Sequence, residues 1–292
     1  MRIGIDVGGT KANIALVGDD GQILRRQKLA TGGEKPCRAV VAEMAGAVKE
    51  LVAGEKIIFA GMGIPGTVDG KNVIHAPNLH WVNEPVGEYF FQETGIMPVL
   101  EQDTRAAAWG EARREEMRDK KCLACITLGT GIGCGIVLNH HIWRGAFGTS
   151  GEMGHIPVES GGRPCNCGRR GCMEAYASGG GMARIAAERG ICQSTEALFD
   201  LAQAGDEAAL QLIDEATGYG ARAVAAMINL LAPDVVLFSG GLSNQKKLFV
   251  EPLMAKVRIW AYANAFGEGF VMDCARLGSD APVIGAAFLD EA

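Results

Sequence analysis

Residues 3–17 read IGIDVGGTKANIALV, and residues 122–138 read CLACITLGTGIGCGIVL. Each stretch is an apolar strand, a turn containing Gly-Thr, and a second strand. In the first copy, residues 3–7 form the buried strand, Gly8-Gly9-Thr10 the turn, and residues 12–17 the return. Gly18-Asp19-Asp20-Gly21 then signals a hairpin into a third strand over 22–29. In the second copy, Cys122–Leu128, Gly129-Thr130-Gly131, 133–138 and 141–144 repeat that order, about 120 residues later. The duplication predicts two similar α/β lobes, each aiming a glycine turn into the cleft between them.

Outward from these copies, Val41, Met44, Ala45, Val48 and Leu51 share one helical face and predict a helix over 38–52. A buried strand is expected over 57–63, stopped by Pro65-Gly66, and another over 98–103 that delivers Asp103 at its end. Residues 104–118 read as a helix, 145–181 as an irregular Gly- and Cys-rich stretch, and 206–231 as a long helix. A strand over 234–239 ends in Gly240-Gly241, and a short helix over 283–290 closes the chain. The expected lobes are 1–118, joined by the terminal helix at about 280–292, and 119–279, which carries a metal loop at 155–174.

The 292 residues are 48% hydrophobic, enough for a packed core rather than a disordered chain. The net charge of −6 argues against general nucleic-acid binding, which needs a basic surface. No basic and apolar leader precedes the first strand, and no run of about 18 apolar residues occurs. A cytoplasmic protein with no membrane partner is expected. Nine cysteines then read as thiols or metal ligands rather than a disulfide framework.

Asp6, Gly8, Gly9, Thr10 and Lys11 make a turn whose N–H groups and hydroxyl suit a phosphate, with Asp6 placed to hold hydrated Mg²⁺. A hairpin that merely needs glycine reads equally well. Gly129, Thr130, Gly131 and Gly133 form a denser second turn, and Gly240 and Gly241 a third that either admits a nucleoside or only connects two elements. Asp103 is either a base for a hydroxyl nucleophile or the N-cap of the helix that follows, and the cap is the simpler reading from the residues alone.

Cys165, Cys167 and Cys172 fall within eight residues, with His155 ten residues before the first. That spacing points to a closed Cys₃His zinc site with a structural role, against the alternative of a disulfide and a free thiol. Cys122, Cys125, Cys134, Cys192 and Cys274 are expected in the core, and Cys37 in a loop before a helix. Glu152 and Glu174 flank the knuckle and are either solvated charges or readers of hydroxyls.

Together these blocks resemble the ROK family of sugar kinases and sugar-responsive repressors. The resemblance rests on residues 6–11, Pro77-Asn78-Leu79, Gln102-Asp103, 128–135, and the run 145–174 with Gly151-Glu152-Met153-Gly154-His155. Ser239-Gly240-Gly241 and Gly285-Ala286-Ala287 follow in order. It implies an actin-like, hexokinase-type (ribonuclease H-like) α/β fold of two lobes built from βββαβα units around an interlobe cleft. It implies an ATP-dependent transfer, with Mg²⁺, to the 6-hydroxyl of a hexose, with glucose first and another hexose or an N-acetylhexosamine as alternative.

On that resemblance Asp103 is the catalytic base, and Gly66, Asn78, Gln102, Glu152, His155 and Glu174 contact the sugar. Zinc lies on His155, Cys165, Cys167 and Cys172, leaving the second imidazole nitrogen of His155 for a sugar hydroxyl. A homodimer or homotetramer is implied. Gln102 and Arg105 depart from the asparagines common in the family and bear on which hexose is taken. Repressors of the family carry an N-terminal DNA-binding element, whereas this acidic chain reads from the phosphate turn onward, so catalysis is expected.

Overall fold

Asp6 is the one residue between Ile3 and Val7 that keeps an edge to solvent. In the computed structural model, which describes residues 1–32 and 35–292, those residues lie in β1 (Arg2–Val7). β2 (Lys11–Val17) and β3 (Ile23–Ala30) follow it as an antiparallel meander. α1 (Cys37–Val52), β4 (Phe59–Ile64), β5 (Thr67–Val68), β6 (Val73–Ala76), β7 (Trp81–Glu84), α2 (Val86–Thr94), β8 (Val99–Gln102) and α3 (Asp103–Ala112) come next. β9 (Cys122–Leu128), β10 (Ile132–Leu138), β11 (His141–Ile142), α4 (Glu174–Ala177), α5 (Gly179–Glu188), α6 (Thr195–Gln203) and α7 (Glu207–Leu231) continue the chain. β12 (Val235–Ser239), α8 (Glu251–Trp260), β13 (Val271–Cys274) and α9 (Ala281–Ala287) end it.

The two five-stranded sheets have matching orders, β3-β2-β1-β4-β8 and β11-β10-β9-β12-β13. In each, an antiparallel hairpin edge precedes two parallel additions. The duplicated α/β architecture expected from the glycine turns is therefore present. The chain divides into two compact units. One takes in Met1–Lys120, Gly135–Ser150 and Leu277–Ala292, the other Lys121–Cys134 and Gly151–Arg276.

In the first unit, Ile3 and Ile5 pack with Val41, Met44 and Val48 of α1. The alternate residues face α9, because successive strand side chains point to opposite faces. A Cβ at Gly4 would lie 1.9 Å from Val283 O, and one at Gly61 2.0 Å from Ala286 O. α9 also meets α3 through Gly110 and Gly285, where a Cβ would fall 2.3 Å from Ala281 O and 1.8 Å from Ala106 O. Any side chain at these four positions would push α9 off the sheet and move α3. In the second unit β12 is buried throughout, and α7 lays Leu212, Ile213, Ala216, Val224 and Ile228 into the core. Asp206 caps α7 by accepting the Ala209 N–H at 2.8 Å.

Several expectations shift. The strand expected over 57–63 runs Phe59–Ile64, and the helix expected over 104–118 ends at Ala112. The closing helix is Ala281–Ala287 followed by a short 3₁₀ turn. The stretch 145–181 contains α4 and the start of α5. Cys192 and Cys274 are half-buried rather than core, while Cys37 is buried as the first residue of α1. No helix among the described residues is long and apolar enough to cross a membrane.

Candidate active site

β1 carries Asp6 toward its C-terminal end, and the chain turns at Gly8 because the Gly8 N–H donates to Lys11 O at 2.9 Å. Thr31 braces the turn from beneath. Its hydroxyl donates to Gly8 O at 2.8 Å and its N–H to Thr10 O at 3.1 Å. The Pro77–Leu79 turn lies against Gly9, where a Cβ would sit 3.1 Å from Asn78 O. Gly66, at φ +147°, lets the chain pass His75, whose carbonyl would be 2.2 Å from a Cβ. Thr10 and Lys11 remain exposed.

Asp103 lies beside β4, since a Cβ on Gly63 would be 3.4 Å from its Cα. It is the first residue of α3, and the cap position belongs to Gln102. The cap reading of Asp103 is thereby replaced. Its Oδ1 accepts the adjacent Thr104 N–H at 2.8 Å. The Asp6 carboxyl is pushed up to about 7, first by burial and then by the Asp103 charge, with Lys11 opposing both. The first unit thus brings a glycine turn, Asn78 and two interacting carboxylates together.

Arg105, two residues after Asp103, is taken up within the first unit. Its guanidinium is buried, with Nε donating to Glu101 Oε1 at 2.7 Å and Nη1 to Gly148 O at 3.0 Å. Arg144 Nε donates to the other Glu101 oxygen at 2.6 Å. Nothing in the residue's spacing from Asp103 could have revealed this burial, because the carbonyls that accept from it, Gly148 O and Ser150 O, lie more than forty positions away in the chain.

In the second unit, Gly129, Thr130 and Gly241 line a cavity of about 570 Å³. Gly240 is instead pressed on Leu128 O, 2.5 Å from its would-be Cβ, and Gly133 lies within β10. Residues that sequence reading missed complete the cavity, among them Gly179, Gly180, Ser194, Glu196 and Gln245. The signal for part of it was Ser178 ahead of three glycines. Ser178 caps α5 by accepting the Gly181 N–H at 2.9 Å. The Gly179 and Gly180 N–H groups donate to Gly129 O and Thr130 O at 2.8 and 3.1 Å. These bonds use the first three N–H groups of α5, so what the helix end still offers an anion is its dipole.

Gly131 faces Glu174, whose Oε2 accepts the Ile132 N–H at 2.9 Å. His155, Cys165, Cys167 and Cys172 present ligand atoms that all lie within 4.8 Å of one another. His155 Nδ1 is 3.7 Å from Cys165 Sγ, and Cys167 Sγ is 3.6 Å from Cys172 Sγ. Tetrahedral zinc with Zn–S near 2.3 Å requires S···S separations of about 3.8 Å, so the four residues fit the ion. Hydrogen bonds from Val158 N–H to Gly171 O (2.8 Å) and from Cys165 N–H to Arg169 O (2.8 Å) hold the loop. His155 Nε2 lies 3.9 Å from Glu152 Oε2, on the side of the ring away from the thiols. Glu152 itself is exposed.

The profile of the ROK family matches residues 2–292. The chain belongs to the ROK family. Among ROK proteins it is 34% identical to a glucokinase of Thermotoga maritima over 303 residues, covering 98% of this chain and 95% of that one. It is 32% identical to an N-acetylmannosamine kinase of Escherichia fergusonii over 285 residues, covering 95% and 96%. A ROK glucokinase of Streptomyces griseus, solved with glucose and AMPPNP, superposes with a TM-score of 0.83 at 32% identity, covering 99% and 98%. The two-lobe α/β fold of the hexokinase type, implied by the family resemblance, is the ROK fold seen there.

Proposed function

We propose that this ROK protein transfers the γ-phosphoryl group of Mg·ATP to the 6-hydroxyl of a hexose, with glucose the preferred acceptor. The observation that carries the reading is the pairing in the first unit of a phosphate-type turn with two carboxylates whose charges interact. The glucokinase relatives and the solved glucose and AMPPNP complex support it.

In this reading Asp103 accepts the proton of the sugar hydroxyl as that oxygen bonds to the γ-phosphorus and the bond to the β–γ bridging oxygen breaks. Sugar 6-phosphate and ADP result. A general base contributes about 10²–10⁴-fold, and positioning with charge stabilisation supplies most of the rest. Asp6 faces the hydrated Mg²⁺ of the substrate, and the N–H groups of Gly8, Gly9 and Thr10, with Lys11, meet phosphate oxygens. Gly129, Thr130 and Gly241 serve the nucleotide from the second unit, and Gly131, Gly133 and Gly240 shape the turns that present them. Gly66, Asn78, Gln102, Glu152, His155 and Glu174 read the sugar.

His155, Cys165, Cys167 and Cys172 would hold zinc, which leaves no open coordination position and therefore supplies rigidity rather than a reactive water. With Nδ1 toward the thiols, His155 keeps Nε2 for a hydroxyl. The protein works as a homodimer or homotetramer in the cytoplasm.

A second acceptor class rests on the N-acetylmannosamine kinase relative and on Gln102, whose amide stands one methylene farther out than an asparagine would place it. The test is ADP release from Mg·ATP with glucose, mannose, allose, fructose, N-acetylglucosamine and N-acetylmannosamine. Highest kcat/KM on glucose is expected. A clear preference for an N-acetylhexosamine would move the assignment to that class, and no turnover on any sugar by folded, zinc-loaded protein would reject the kinase reading.

A further inference from the structure

A charged side chain withdrawn from water persists only when its partners are nearly complete. Arg105 and Glu101 are each only 2% exposed, and their partners trace one connected knot. Arg105 Nε donates to Glu101 Oε1 at 2.7 Å, while its Nη1 donates to Gly148 O at 3.0 Å and to Ser150 O at 3.5 Å. Glu101 Oε1 also accepts the Gln102 N–H at 2.8 Å, and Oε2 accepts from Arg144 Nε at 2.6 Å. The knot therefore ties the 144–150 loop to the corner where β8 ends at Gln102 and α3 begins at Asp103.

We propose that Arg105 is a positioning residue for Asp103. Its guanidinium holds Glu101 Oε1 in place, and that same oxygen fixes the Gln102 backbone N–H one residue before the base. Without Arg105, Glu101 keeps only Arg144 and the Gln102 N–H, the tie to Gly148 and Ser150 is lost, and the Gln102–Asp103 corner loosens. A displacement of about 1 Å at a reacting group costs roughly 10²-fold in rate, so a residue that touches no substrate still governs turnover.

Arg105 and Glu101 line a cavity of about 640 Å³, wide enough to admit a free guanidinium ion to the vacated place in an Arg105→Ala variant. This inference rests on Asp103 acting as the base, and its test separates the two ideas. Wild type, Arg105→Ala and Arg105→Lys are compared at equal concentrations of folded protein, with millimolar guanidinium added in a second series. Expected are a fall in kcat of at least about 10-fold for Arg105→Ala, an ATP KM within about twofold, and several-fold recovery with guanidinium.

Arg105→Lys keeps the charge but cannot bond Glu101 and both carbonyls together. It is expected to lose kcat several-fold with a Tm near wild type, which keeps the test open if the alanine variant does not fold. Wild-type kcat in either folded variant, or a loss in Arg105→Ala that guanidinium leaves untouched, overturns the proposal. If wild type itself turns over no sugar, the kinase reading fails and the knot is tested by amide exchange. Exchange at Gln102–Thr104 should then speed at least about 10-fold in Arg105→Lys, and unchanged exchange there overturns the proposal.

Discussion

Glu174 Oε2 accepts the Ile132 N–H at 2.9 Å, joining the residue just after the cysteine loop to the glycine turn that opens β10. The contact explains Gly131, where a Cβ would fall 2.7 Å from the same oxygen. Glu174 thus braces a turn expected to serve the nucleotide, in addition to the sugar role the family resemblance implies for it.

Gly131→Ala is expected to displace the carboxylate and raise the ATP KM about 10-fold, with a smaller effect on sugar KM. Steady-state kinetics with each substrate varied in turn checks this. An unchanged ATP KM would remove the Gly131–Glu174 contact from the nucleotide site.

Zinc loss should destabilise the second unit, because a site whose ligands gather only on folding couples ion binding to stability. Cys167→Ser is expected to bind less than one equivalent of zinc and to melt several degrees below wild type. Metal analysis alongside calorimetry decides it, and a full equivalent of zinc with an unchanged Tm would show the ligand set to be wrong. Cys172 sharpens the pH dependence, since burial and the neighbouring thiols push its metal-free form up to about 12. Zinc uptake must therefore release a proton there, and loading should weaken as pH falls.

Asp6 has a folded value near 7 against an ordinary value of 3.8. Between those two values the folded protein holds more protons than the unfolded chain, so this group's contribution to stability falls as pH rises from about 4 to 7. Asp6→Asn removes that loss. The ligand-free variant should gain Tm relative to wild type as pH rises through the window, by about 2–4 °C per kcal/mol relieved, while losing turnover. A constant Tm difference across the window would mean that Asp6 is not strained by burial and by Asp103.

Asp103→Asn is expected to bind sugar and lose at least about 10²-fold in kcat. Isothermal calorimetry paired with kinetics tests both halves. Near-normal turnover would remove Asp103 as the base.

Gln102→Asn retracts the amide by one methylene. It should reorder kcat/KM among the hexoses more than it changes the ATP KM, and an identical ranking before and after would show that position 102 does not select the sugar.

Much of this chain is decided locally. The repeated strand–turn–strand pattern, the one-sided apolar face of α1 and the Cys₃His spacing follow from backbone periodicity and ligand geometry over a few residues, and so they are legible in the sequence. The three-stranded sheet over Thr67–Glu84 is not, because strands of two to four residues acquire meaning only by pairing with each other. Helix α2 carried readable punctuation in Pro85 and Gly95 that composition masked.

Tertiary structure alone decided the rest. Three glycines oppose a helix at Gly179, yet α5 starts there because its first N–H groups find Gly129 O and Thr130 O. In the sequence Arg105 is a departure from the family's asparagine that bears on the hexose, and only the return of the chain at Gly148 and Ser150 buries it. The sequence by itself determined which residues can do chemistry, since side-chain type is local. Which of them meet, and which are used up holding others in place, depends on contacts between distant segments that only the folded chain brings together.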